Sequence, residues 1–399
     1  MKKSSLFVIL FFLAGHFLMA QPACVKDVIY SLVSLKEIPR ARKMMEEQCF
    51  PGNETSADVW LVRANVFIQL YDYERERKNK DAKYMIRWPD AIIIANESFY
   101  KAVELNKDVK PSPGLLDSKE GQILSAAPIH DLAASAMEKK DYEEAIRLLN
   151  MVIRSYKADL KEYAKYLVYP YFDLSNCYKA MGDEVNRKKI LIDAAKLNTP
   201  EPVIYLNLYE IYKIDKDTVK CGEILTQARK AVPDSSAIHI KECELEYLAM
   251  IGDSAKLVNA ALKMFEESKN DSELINIVAG YLLESKLYEL AKEIIEAGLA
   301  IDPNNFDLNQ QMTYRYFYEA IDYYNLIENI KQQKRFNDIK VAQDKFKEVL
   351  ETAKTWAEKA YNISKEDEKH NKMYGQILVR LALPVPEELQ KKLDSYRKN

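Results

Sequence analysis

PVIYLNLYEIYKIDKDTVKCGEILTQARKAVP, residues 202–233, decides how the chain folds. Tyr205, Leu208, Tyr209 and Tyr212 recur every three or four positions, which places them along one face of a helix. Leu225 and Ala228 repeat that spacing on a second segment, and Pro233 closes it. A strand would alternate every second residue, and this stretch does not. Two helices joined by a short turn follow from it.

The pattern recurs along the chain. One copy starts near Ser272, with Ile275, Val278, Ala279 and Leu282, then Ala291, Ile295 and Gly298, and closes in Ile301-Asp302-Pro303-Asn304-Asn305. Three more begin near Ala126, Val168 and Ile238. The first holds Leu132, Ala133, Ala136, Ala145, Leu149 and Val152; the second, Tyr171, Leu174, Tyr178, Leu191 and Ala194; the third, Leu245, Leu248 and Ala261. A small residue such as Ala145 or Ala291 lets two helices approach closely, while Tyr and Leu fill the groove between them. Gly182-Asp183 and Gly252-Asp253 supply turns.

Small and aromatic positions returning roughly every 34 residues resemble the tetratricopeptide-repeat family. The resemblance implies an all-α fold, a right-handed superhelical solenoid of antiparallel helix hairpins, each burying its apolar face on the next. Arg187 and Leu257 stand where the second helix usually carries Ala, so looser contacts are expected there. Upstream, Trp60, Ala64, Phe67, Ala95, Phe99 and Ala102 read as a repeat whose turn is lengthened by the charged stretch Glu74 to Lys83 and the segment to Pro89. That insertion reads as a solvated loop or as extra helical turns.

The expected organisation is a signal peptide over 1–20, N-terminal hairpins with the inserted loop over 21–107, and a linker over 108–125. A central array follows over 126–305, then a long terminal hairpin with capping helices over 306–399. Pro128 is expected to kink or start its helix. In outline this resembles exported tetratricopeptide proteins of Bacteroides-type bacteria.

Lys2 and Lys3 followed by an apolar run from Leu6 to Met19 and then Ala20 read as an export leader cut after Ala20. Lipid anchoring at Cys24 would need an aliphatic residue where Gln21 stands. No later stretch is apolar enough for a transmembrane segment. The expected location is therefore extracytoplasmic, in the periplasm or at the outer membrane. Cys24 and Cys49 fall at one end of a hairpin and are a disulfide candidate. Cys177, Cys221 and Cys243 lack CxxC spacing and read as small buried hydrophobes.

Ten glycines and 14 prolines in 399 residues favour helix. Lys plus Arg at 58 nearly offset Asp plus Glu at 61, which asks for no nucleic-acid partner. Nucleophile-elbow, phosphate-loop, dinucleotide and HExxH motifs are absent from the sequence, and His130, His239 and His370 stand apart without metal-ligand spacing. No enzyme, metal or cofactor is expected.

In the family the first helix of each hairpin lines the concave face. By register that face includes His130, Ala134, Phe172, Asn176, Leu206, Glu210, Lys213, His239, Glu242, Glu246, Asn276 and Tyr314. The family's clamp for a terminal carboxylate is not expected. Asn176 and Asn207 match its Asn positions, yet Phe172, His239 and Cys243 replace the basic ones. Tyr314, Tyr316, Tyr318, Tyr323 and Tyr324 read as hairpin packing rather than a stacking platform. The expected role is an envelope interaction scaffold for a peptide or protein, in possible association with an outer-membrane complex. The alternative is a carbohydrate- or nutrient-binding module of an uptake system.

Overall fold

The computed structural model describes residues 22–267, 271–333 and 339–396. The expected leader over 1–20 lies outside the described residues. Among the described residues every regular element is helical. The chain divides into two compact units at Ile204 and Tyr205.

The first unit holds α1 (Ala23–Ile29) and α2 (Ile38–Met44), α3 (Ala57–Lys80) and α4 (Ala91–Leu105), and α5 (Ser118–Glu138) and α6 (Tyr142–Lys157). The short α7 (Leu160–Tyr163), then α8 (Val168–Ala180) and α9 (Glu184–Ala195), complete it. A disulfide joins Cys24 to Cys49 across the first hairpin, with Cα atoms 5.4 Å apart. The inserted charged stretch is extra helical turns, because α3 runs on to Lys80. The loop after it folds back on buried Glu74, whose carboxylate accepts from the Tyr84 hydroxyl at 2.9 Å and the Arg87 backbone N–H at 2.6 Å. α5 begins at Ser118 and continues through Pro128.

Polar bonds as well as apolar contact tie these helices. Asn96 of α4 is fully buried and donates to Ser125 Oγ of α5 and Ser155 Oγ of α6, each at 2.7 Å. A buried amide with its bonds made fixes the relative height of three helices, because sliding any one leaves a donor orphaned.

The second unit contains most of α10 (Pro202–Ile214), then α11 (Thr218–Ala231), α12 (Ile238–Met250) and α13 (Ser254–Glu267). After them come α14 (Ser272–Glu284), α15 (Tyr288–Ile301), α16 (Phe306–Gln332), α17 (Ile339–Ile363), α18 (Glu368–Arg380) and α19 (Glu387–Tyr396). Tyr205 and Tyr209 are fully buried, as are Ala228, Ala261 and Ala291 at close helix approaches. Leu257, standing where Ala is usual, is buried in one apolar cluster with Ala261 and Ala291.

One turn recurs between helices. Lys140, Gly182, Lys216 and Gly252 all take φ between 58° and 73°, and each is followed by an Asp that caps the next helix. The N–H of that Asp reaches back to a carbonyl five residues earlier: Asp141 to Ala136, Asp183 to Tyr178, Asp217 to Tyr212 and Asp253 to Leu248, at 2.9–3.0 Å. This closure satisfies the last carbonyls of one helix and the first N–H groups of the next.

Of the five tyrosines on α16, Tyr314 is buried, Tyr316, Tyr318 and Tyr323 are half-buried against the apolar cluster, and Tyr324 is exposed. Tyr314 is 8 % exposed and stacks on Tyr318 with ring centres 5.7 Å apart. Arg315, almost fully buried, pairs with Glu289 of α15 and Glu319 and lies over the Tyr316 ring. Further along, His370 of α18 is wholly buried, its Nε2 2.9 Å from the Ala357 carbonyl and its ring edge-on to Phe306. Its Nδ1 meets no partner, and burial holds its pKa below the ordinary value.

Two outcomes follow for stability. A Cβ on Gly121 of α5 would sit 2.2 Å from the buried Phe99 ring of α4, so Gly121→Ala should cost about 1–3 kcal/mol in denaturant titration. Because the folded pKa of His370 is lowered, its contribution is present above the unfolded value near 6.5 and is lost as pH falls. The denaturation midpoint should therefore drop on acidification below about pH 6.5, with a slope from this one group of at most about 1.4 kcal/mol per pH unit.

Candidate binding groove

The expected concave residues fall in both units. In the first, His130 of α5 holds Asp173 of α8 through Nε2 at 2.8 Å, and Phe172 and Asn176 on α8 are half-buried. In the second, α10 carries Leu206, Glu210 and Lys213, α12 carries His239, Glu242 and Glu246, and α14 carries Asn276. Tyr314 differs from the others: its ring is 8 % exposed and stacked on Tyr318 in the apolar core.

α12, α14 and α16 enclose an open groove of about 740 Å³. Glu242, Glu246 and Asn276 line it as the register implies. Tyr281, Glu284 and Gln311 line it too, and the sequence reading missed them. Gly280 and Glu284 lie one and two helical turns beyond Asn276, so extending the same register would have found them. Gln311 on α16 was hidden, because it reaches the groove through a contact between helices: its Nε2 donates to Asn276 Oδ1 at 2.7 Å.

The groove is acidic. Lys213 Nζ bridges Glu210 Oε1 at 2.7 Å and Glu246 Oε1 at 3.1 Å. Glu242 meets His239 Nδ1 at 3.4 Å, and Glu284 has no ion-pair partner among the described residues. The field is visible on its neighbours. Burial, then Glu246 and Glu242, raise the pKa of the Tyr281 hydroxyl. The same causes push the thiol of half-buried Cys243 up to about 12. Neither group is thereby prepared for nucleophilic work, which needs the reverse shift. Among the described residues no cluster of His, Cys, Asp or Glu is placed to hold a metal, and no helix is long and apolar enough to cross a membrane.

No protein-family model matches the sequence, and no curated protein does. Solved structures do. A tetratricopeptide repeat protein from Parabacteroides merdae is 13 % identical, over 78 % of this chain and 98 % of that one, at a TM-score of 0.34. A TPR repeats protein from Bacteroides fragilis is 11 % identical, over 79 % and 98 %, at 0.25. Yeast Tom70 is 13 % identical, over 94 % and 93 %, at 0.32.

Cys243 gives a readout of the burial and acidic surroundings of α12. Iodoacetamide at pH 8 should alkylate it at least about a hundredfold more slowly than an unhindered cysteine peptide, since only the thiolate reacts. Mass mapping of the modified chain over time measures this.

Proposed function

We propose that the chain is an exported, non-catalytic interaction scaffold of the cell envelope, periplasmic or outer-membrane-associated, that holds an extended segment of a protein partner in the groove of α12, α14 and α16. The segment carries Lys or Arg. The observation that carries this reading is the placement of Glu242, Glu246 and Glu284 along one groove with Lys213 as its nearby cation. The side-chain amides of Asn276 and Gln311 lie beside them. Such amides both donate and accept, which suits the main chain of an extended peptide. The Lys2 and Lys3 leader pattern supports export, and so does the Cys24–Cys49 disulfide, since such bonds persist in oxidising compartments. Tyr314 is buried and stacked on Tyr318, so this ring does not serve the aromatic platform that the carbohydrate alternative would need.

The test is fluorescence anisotropy with a labelled extended peptide rich in lysine, against the same peptide with glutamate in place of lysine. The basic peptide should bind, and its affinity should fall as salt rises. Combined Glu242→Gln and Glu284→Gln should weaken it by about tenfold or more. Equal binding of the acidic peptide, or no effect of the two substitutions, would sink the reading.

A further inference from the structure

The first unit holds a cavity that the groove does not involve. It measures about 580 Å³ and lies among the end of α4, residues 107–111, the start of α5 and the end of α6. Lys107, Lys110, Arg154 and Lys157 line it, and among the described residues none of the four has a carboxylate partner. A fifth lining cation, Lys119, is already paired with Asp159 at 2.5 Å, and outside the wall Arg147 pairs with Glu144 at 2.7 Å. Asp117, the acid in the wall, is committed to capping α5, its Oδ1 accepting from the Glu120 N–H at 2.8 Å.

Arg154 is held in advance. Its guanidinium lies 3.8 Å from the centre of the Tyr100 ring, and Nη2 donates at 3.1 Å to Asn96 Oδ1 of the buried amide network. Its Nε is buried and bonded to nothing. Burial depresses the pKa of this guanidinium, opposed by Tyr100 and Glu97, so the cation is partly desolvated, with no carboxylate at ion-pair distance among the described residues. A second polar group in the wall is equally unmatched: Ser118, 5 % exposed, has a hydroxyl with no hydrogen-bond partner. Ser118 is the first residue of the 21-residue α5, where backbone N–H groups favour negative charge.

We propose that this cavity is a binding site for a small phosphomonoester. One carboxylate would leave most of the wall's positive charge uncompensated, whereas a phosphate brings nearly two charges and three strong acceptors. Val103, Val109 and Pro111 form the apolar part of the lining, which fits an ester with an apolar or ring-shaped body. The volume lies within the roughly 300–1,000 Å³ typical of small-ligand sites. The site is independent of the acidic groove, so substitutions at Glu242 and Glu284 leave it unchanged.

Calorimetric titration of the full chain with phenyl phosphate at low ionic strength tests this. Binding is expected. It should weaken by about tenfold or more in Arg154→Gln and in the double variant Lys107→Gln/Lys110→Gln, as charge-assisted bonds of 1.5–3 kcal/mol imply. Both lysines are exposed, so the double variant should keep the wild-type melting temperature and decide the matter even where Arg154→Gln disturbs the Asn96 network. Absence of binding to both phenyl phosphate and phosphatidylglycerol vesicles, or equal affinity in the double variant, overturns the site. Benzoate binding as tightly as phenyl phosphate overturns the choice of phosphate. Sedimentation with phosphatidylglycerol vesicles, without phenyl phosphate binding, overturns the small-molecule assignment and makes the phosphate a lipid's.

Discussion

The structure depends on how its helices reverse. A residue in the left-handed region ends one helix, and the Asp after it both sends its N–H back to the old helix and caps the new one. Four residues thereby satisfy groups that two isolated helices would have to leave to water. The reversal fixes the direction in which the second helix departs. Buried Ala145, Ala228, Ala261 and Ala291 then set how near the two helices come. The groove of the second unit is a consequence: α12 and α14 each present one face to it because each is followed by such a reversal or its equivalent at Lys286, where φ is 60°.

This explains what could be read in advance. Gly182-Asp183 and Gly252-Asp253 announce themselves, since glycine is the residue that adopts positive φ freely. Lys140-Asp141 and Lys216-Asp217 make the same turn with a residue that resists that conformation, so composition conceals what the capping Asp reveals. Asp in the capping position is the more general marker in this chain. The apolar spacing in residues 202–233 was legible for a different reason: Tyr205 and Tyr209 stand one turn apart on one helix face, and both are fully buried.

The candidate sites were legible only in part, because pairing between helices is written in no single segment. Glu242, Glu246 and Asn276 follow from helical register alone. Tyr314 sits in an equivalent register, but α16 is long and packed along much of its length by α15 and α17, so the position that faces a groove in a short helix faces a neighbour here. The cationic cavity could not be read at all. Lys107 and Lys110 belong to a connection, Arg154 to a helix more than forty residues on, and their meeting depends on the Asn96 network joining α4, α5 and α6.

The two sites illustrate opposite treatments of charge within an overall balance close to neutral. In the acidic groove Lys213 already serves Glu210 and Glu246, so an arriving basic side chain gains most at Glu284 and Glu242, where internal compensation is least. Direct competition with Lys213 would exchange one ion pair for another and yield little net energy. In the cationic cavity Lys107, Lys110, Arg154 and Lys157 have no carboxylate partner among the described residues, and Arg154 is partly desolvated and held in place before any ligand arrives. Preorganisation of that kind concentrates the gain from binding on the first anion to enter, because neither the rotamer nor the desolvation of the guanidinium has to be supplied again. The groove is thus suited to graded recognition of an extended, multiply contacting segment, and the cavity to one compact anion.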